Sequence, residues 1–161
     1  MVRNKNLNKE IRIIFIFLIS FFLANKTVLA IEQYTAHGGP VKGLAISPNN
    51  KLMASASFDY SVVLWDLYPI KEKRTLIGHD AAVNTVKFSP NNRYLASGGD
   101  DNNILLWSIR EIESNSDEIE PITLGSHRGK IAGLDFSKDS KYLLTASWDG
   151  TVGVWDILER R

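Results

Sequence analysis

The stretch from His37 to Trp65, HGGPVKGLAISPNNKLMASASFDYSVVLW, is written twice more in this chain: from His79 to Trp107 as HDAAVNTVKFSPNNRYLASGGDDNNILLW, and from His127 to Trp155 as HRGKIAGLDFSKDSKYLLTASWDGTVGVW. The three copies are 29 residues long, and their leading histidines stand 42 and 48 residues apart. In each, an aspartate lies six residues before the tryptophan (Asp59, Asp101, Asp149), and a serine or threonine lies four before that aspartate (Ser55, Ser97, Thr145). Polar and aromatic positions held in register at a period of about 40–50 residues mark a chain built of repeated supersecondary units.

Each copy reads as a set of short strands. Apolar residues alternate with polar or small ones over Val41–Ile46, Val83–Phe88 and Ile131–Phe136, the pattern of half-buried strands. Turns follow at Ser47–Lys51, Ser89–Arg93 and Ser137–Lys141, where Pro48 and Pro90 pre-set φ and Asn50 and Asn92 tolerate the left-handed conformation. Second strands are expected over Leu52–Ser57, Tyr94–Gly99 and Tyr142–Ser147. Third strands are expected over SVVLWD, NILLWS and TVGVWD, the last after the hairpin signal Asp149-Gly150. Lys73–Ile77 and Glu120–Leu124 supply a fourth strand to the first two copies. Ile31–Thr35 occupies the equivalent place before His37, and the third copy has no fourth strand of its own. The six extra residues between the second and third copies fall near Glu111–Glu118, a polar acidic stretch expected to form a lengthened surface loop.

The copies end in Trp65-Asp66, Trp107-Ser108 and Trp155-Asp156, and with the other repeated residues this pattern resembles the WD-repeat β-propeller family. The resemblance implies an all-β fold of three propeller blades, at about 37–66, 79–108 and 127–156. It also implies that the repeated side chains form one hydrogen-bond chain per blade: His37, Ser55, Asp59 and Trp65; His79, Ser97, Asp101 and Trp107; His127, Thr145, Asp149 and Trp155. An indole N–H only donates, hydroxyl and imidazole relay, and a carboxylate only accepts, so such a chain is chemically complete. A Ser-His-Asp catalytic triad is the rival reading, but a triad is needed once, whereas this set occurs in every copy and always with tryptophan. In the family, a strand from one end of the ring completes the blade at the other, which makes residues 31–35 the candidate closing strand. Three blades fall short of the about four to eight of known propellers. The expectation is therefore a surviving piece of a longer protein, an open arc, or half of a six-bladed assembly in which two copies pair head to tail by strand exchange. The first copy also looks like the opening blades of exported bacterial WD-repeat proteins, some of which carry a c-type cytochrome segment further on.

The N-terminus reads as a secretory signal, residues 1–30. Arg3, Lys5, Lys9 and Arg12 precede an apolar run over Ile13–Ala24, and Val28-Leu29-Ala30 offers small residues for cleavage after Ala30. About 12 apolar residues are short for a bilayer span, so no stable membrane span is expected after cleavage; an uncleaved signal anchor is the alternative. Five of the 19 basic residues and one of the 18 acidic residues lie in this segment, leaving 14 basic against 17 acidic beyond it. Without clustered Lys and Arg, a nucleic-acid partner is not expected. With no cysteine there is no disulfide framework, thiol nucleophile or haem-attachment motif; export, to the periplasm or the cell exterior, is what the leader implies, and export without disulfides fits a bacterial periplasm better than a disulfide-stapled eukaryotic extracellular module. All three histidines are claimed by the repeats, so no metal or other cofactor is expected.

Trp148 is the one tryptophan outside the repeated set, standing where the first copy has Phe58 and the second Asp100. The resemblance places this position on the rim of a partner-binding face, so Phe58 and Trp148 become candidate aromatic anchors, with Asp80, Arg128 and Lys130 nearby. Asp100 reads as a solvated turn carboxylate. No nucleophile elbow, phosphate loop or zinc-binding helix motif is present. The function expected is a non-enzymatic, exported protein-interaction scaffold. The alternatives are a truncated remnant without independent function and a periplasmic redox accessory lacking its haem segment.

Overall fold

The computed structural model describes residues 32–114 and 119–159; the expected leader, residues 1–30, lies outside them. The chain divides into two units at Thr35. In the first, residues 32–35 carry no secondary structure and join no sheet, and Ile31, the first residue of the expected closing strand, lies outside the described residues. A strand exists only by its ladder, and the three sheets of the second unit draw all their strands from residues 41–156.

Those sheets are the three repeats, each an antiparallel meander in chain order. The first holds β1 (Val41–Ile46), β2 (Leu52–Ser57), β3 (Ser61–Leu67) and β4 (Ile70–Ile77). The second holds β5 (Val83–Phe88), β6 (Tyr94–Gly99), β7 (Asn103–Ser108) and β8 (Ile122–Ser126), and the third β9 (Ile131–Phe136), β10 (Tyr142–Ser147) and β11 (Val152–Asp156). The first-to-second-strand turns repeat one design. Ser47 accepts a bond from Leu52 N at 2.9 Å and donates to Asn49 at 2.7 Å, and Asn50, Asn92 and Ser140 take φ of 55°, 57° and 62°.

Two strands and the long loop differ from the sequence expectation. β4 begins at Ile70, three residues early, because its Lys-Glu-Lys start lies on the exposed edge, where charge is tolerated and Asp66 pairs with Lys73 at 2.9 Å. β8 begins at Ile122, after Pro121, which has no N–H to give a ladder; a bulge then pairs Ile104 with Gly125 and Leu105 with Thr123. The start of the acidic stretch is not loop. Helix α1 (Ile109–Ile112) buries Ile109 and Ile112, and Ser108, in the place of the usual aspartate, caps it by accepting from Glu111 N.

The inner strands lie side by side, β1 against β5 and β5 against β9. Two apolar clusters fill the spaces between sheets. One joins Ala54, Val62 and Leu64 to Val83, Val86 and Phe88; the other joins Ala96, Ile104 and Leu106 to Ile131 and Phe136. Glycine sets the spacing at two points between the second and third blades. A Cβ on Gly98 would lie 2.6 Å from Ile131, and one on Gly125 would collide with the Trp155 ring.

Candidate functional site

In the first blade Trp65 Nε1 donates to Ser55 Oγ at 2.9 Å, Ser55 Oγ meets His37 Nε2 at 2.7 Å, and His37 Nδ1 lies 2.9 Å from Asp59. The second blade repeats this with Trp107, Ser97, His79 and Asp101 at 2.9, 2.8 and 2.7 Å, and the third with Trp155, Thr145, His127 and Asp149 at 2.8, 2.7 and 3.2 Å. Because a carboxylate only accepts, Nδ1 carries the imidazole proton, and Nε2 accepts the hydroxyl proton in the neutral ring. The hydroxyls are thus bonded on both sides and buried, Ser97 completely, so no substrate carbonyl reaches them. This geometry serves to lock each blade, and the hydrogen bonds are spent inside it.

The aspartates also tie down the turns. Burial pushes the Asp59 carboxyl up, but bonds from the Ser61 hydroxyl and N–H, Gly38 N–H and His37 outweigh it and hold it well below the ordinary carboxylate range. Asp149 is held low chiefly by the Thr151 hydroxyl, with Arg128 N–H and His127 adding to it. Asp101 is lowered against its burial by His79 and by the N–H groups of Asn103 and Asp80.

The residues between these anchors form a second, variable set. The N–H groups of Phe58, Asp100 and Trp148 donate to the carbonyls of Pro40, Ala82 and Lys130 at 3.0, 2.8 and 3.0 Å, so the three blades hold the backbone at this position in the same way. With Lys42, Asn84 and Ala132 from the inner strands, and Lys130, they line an open groove of about 440 Å³. Trp148 is 78 % exposed there, and the Lys42 ammonium sits 5.1 Å from the Phe58 ring centre. Of the rim candidates, Phe58, Trp148 and Lys130 enter the groove; Asp80 and Arg128 stay in the histidine turns outside it.

Asp100 is not a free turn carboxylate. It accepts from Asn84 Nδ2 at 2.7 Å and pairs with Lys130 of the next blade, and these partners and Lys42 hold it low despite its burial. Asn84 also donates to Ile131 O at 3.0 Å, joining the second and third blades at the groove floor. Lys42, Asn84 and Ala132 were missed as site residues. Their signal was available: they occupy one repeat position yet differ from copy to copy, as do Phe58, Asp100 and Trp148. Among the described residues no group of three or more His, Cys, Asp or Glu is placed to hold a metal, and no helix is long and apolar enough to cross a membrane.

Antiparallel blades side by side, each locked by a Trp–Ser/Thr–His–Asp chain, define a β-propeller repeat protein. The WD40 family (WD domain, G-beta repeat) matches residues 29–66, 70–108 and 120–156, and the chain belongs to it. It is similar to Periodic tryptophan protein 2 of Arabidopsis thaliana, 41% identical over 51 residues covering 32% of this chain and 6% of that protein. It is also similar to the Periodic tryptophan protein 2 homolog of Mus musculus, 36% identical over 66 residues covering 39% of this chain and 7% of that protein. The chain therefore spans less than a tenth of the length of these curated relatives. WD repeats generally mediate protein interactions.

Proposed function

We propose that the chain is a non-enzymatic scaffold that presents the Phe58–Trp148 groove to a protein partner. One observation carries this reading: the network positions keep the same chemistry in every blade, with Ser or Thr as the hydroxyl, whereas the six matching positions that line the groove carry six different side chains. The frame is uniform and the lining is individual. Two exposed aromatic rings offer large contact area at low entropic cost, and aromatic residues are favoured anchors of interfaces. Lys130 is neutralised by Asp100, which leaves Lys42 to favour an anionic group beside the apolar one. The partner segment therefore carries an apolar side chain next to Asp or Glu. Panning a displayed random-peptide library against the chain is expected to enrich that pattern, with binding lost in Trp148→Ala while the thermal melt is unchanged. Enrichment that is indifferent to Trp148→Ala and Phe58→Ala overturns the assignment of the groove.

The same reading includes export, supported by the basic-then-apolar N-terminal segment. N-terminal sequencing of the protein recovered outside the cytoplasm is expected to begin at Ile31; a start at Met1 in a membrane fraction points to the tethered alternative.

A further inference from the structure

The two end blades expose opposite halves of the interface that the structure builds twice inside the chain. At both internal junctions the following blade offers its inner strand and the preceding blade its second and third strands, with one leucine of its fourth strand, Leu76 or Leu124, added. Val86 and Phe88 are buried at the first junction; their counterparts on the first blade, Leu44 and Ile46, are 66 % and 59 % exposed. Val62 and Leu64 are fully buried; their counterparts on the third blade, Val152 and Val154, are 71 % and 62 % exposed. We propose that two copies of this chain pair head to tail, the bare face of each third blade covering the inner-strand face of the other's first blade, to close a six-blade ring.

The occupant follows from the internal interface. Where the second blade meets the third, Gly98 lies under Ile131. The equivalent positions at the first junction hold Ala56 and Val83, and at the closing junction Ala146 and Val41. Each pair offers the same number of side-chain carbons, divided differently, so at this contact the closing junction matches the volume that the other two already pack, while the fourth-strand leucines Leu76 and Leu124 have no counterpart among the described residues of the third blade. Both bare faces present apolar side chains to solvent: one Val41, Leu44 and Ile46, the other Leu144, Val152 and Val154. The contact is heterologous, and it closes because two three-blade arcs give six blades, within the about four to eight of known rings.

The test uses the absence of cysteine from the chain. Gly98 and Ile131 bring Cβ positions to 2.9 Å, close enough for the equivalent pair to be bridged, since disulfides join Cβ atoms about 3.5–4.5 Å apart. Full-length chains carrying Val41→Cys or Ala146→Cys are mixed, oxidised and run under denaturing, non-reducing conditions, beside a Val41→Cys/Ala146→Cys double variant. The expected result is a covalent dimer from the mixture and from the double variant, with no larger species. Wild-type chain is expected to sediment as a dimer at micromolar concentration, and Val154→Asp, at a position exposed in the single chain, to sediment as a monomer that still melts cooperatively. A monomeric wild type overturns the proposal and leaves the bare faces to blades of another chain. A ladder of trimers and higher species overturns ring closure. Sedimentation of the wild type decides the matter even if a cysteine variant does not fold.

Discussion

Ser97 Oγ accepts from Trp107 Nε1 and meets His79 Nε2, all three residues being buried. Ser97→Ala strands an indole donor and an imidazole nitrogen, each costing about 1–3 kcal/mol, so a loss of about 2–6 kcal/mol is expected in urea denaturation. Thr145→Val removes the equivalent oxygen beside Trp155, which is only half-buried and reached by water, and is expected to cost about 1 kcal/mol. Equal losses at the two sites would mean that burial does not set the strength of these networks. The aspartates give the pH response. Asp59 is held below its ordinary value of 3.8 in the fold, so between the two values the unfolded chain binds the extra proton and stability rises with pH. The stabilisation is fully present above the ordinary carboxylate value and is lost as pH falls through the lowered one. The urea midpoint of Asp59→Asn is therefore expected to be lower than wild type at pH 7 and to fall less steeply below pH about 4.

Trp107 and Trp155 each need a gap in the strand or link that precedes their blade, and glycine makes that gap. Gly78 faces Trp107, and Gly125 faces Trp155 across the bulge in β8. Gly125→Ala puts a methyl group into the Trp155 ring, and a loss of about 1–3 kcal/mol is expected from the thermal midpoint, as for other overpacked sites. An unchanged midpoint would show that β8 slides freely on β7. At this scale the sequence was legible where period-2 alternation and turn chemistry agreed: the first and second strands of every blade fall where the pattern places them, and Asn50 and Asn92 take the left-handed conformation their turns require. It was less legible where a tertiary position overrode local pattern. The charged start of β4 reads as loop because only its place at the sheet edge makes it a strand. Helix α1 is announced by Ser108 and Glu111 at capping-box spacing, a signal easily lost inside an acidic stretch. The groove was half-visible: Phe58 and Trp148 stand out as aromatics off the repeat, but that Asp100 reaches across to Lys130 depends on how neighbouring blades are set side by side.

In the whole molecule, the burial of a residue is decided by its blade's place in the array as much as by its place in the repeat. Leu44 and Val86 occupy the same repeat position, yet the first is two-thirds exposed and the second 4 % exposed. Repeat arrays gain stability from each interface between neighbours, so the middle blade is held on both faces and the end blades on one. Val86→Asp places an unpaired carboxylate between the first two blades. Neutralising or dragging out such a group costs several kcal/mol, comparable with the whole stability of a small domain, so the variant is expected to lose its cooperative melt. Leu44→Asp puts the same charge on the bare face of the first blade, where water solvates it, and is expected to keep a cooperative melt in the single chain. Circular dichroism melts of the two variants at equal concentration separate these outcomes. If both unfold, the first blade's inner-strand face is required for the fold of one chain; if only Val86→Asp unfolds, that face is available to a partner, and the difference between two identical repeat positions is set by the array.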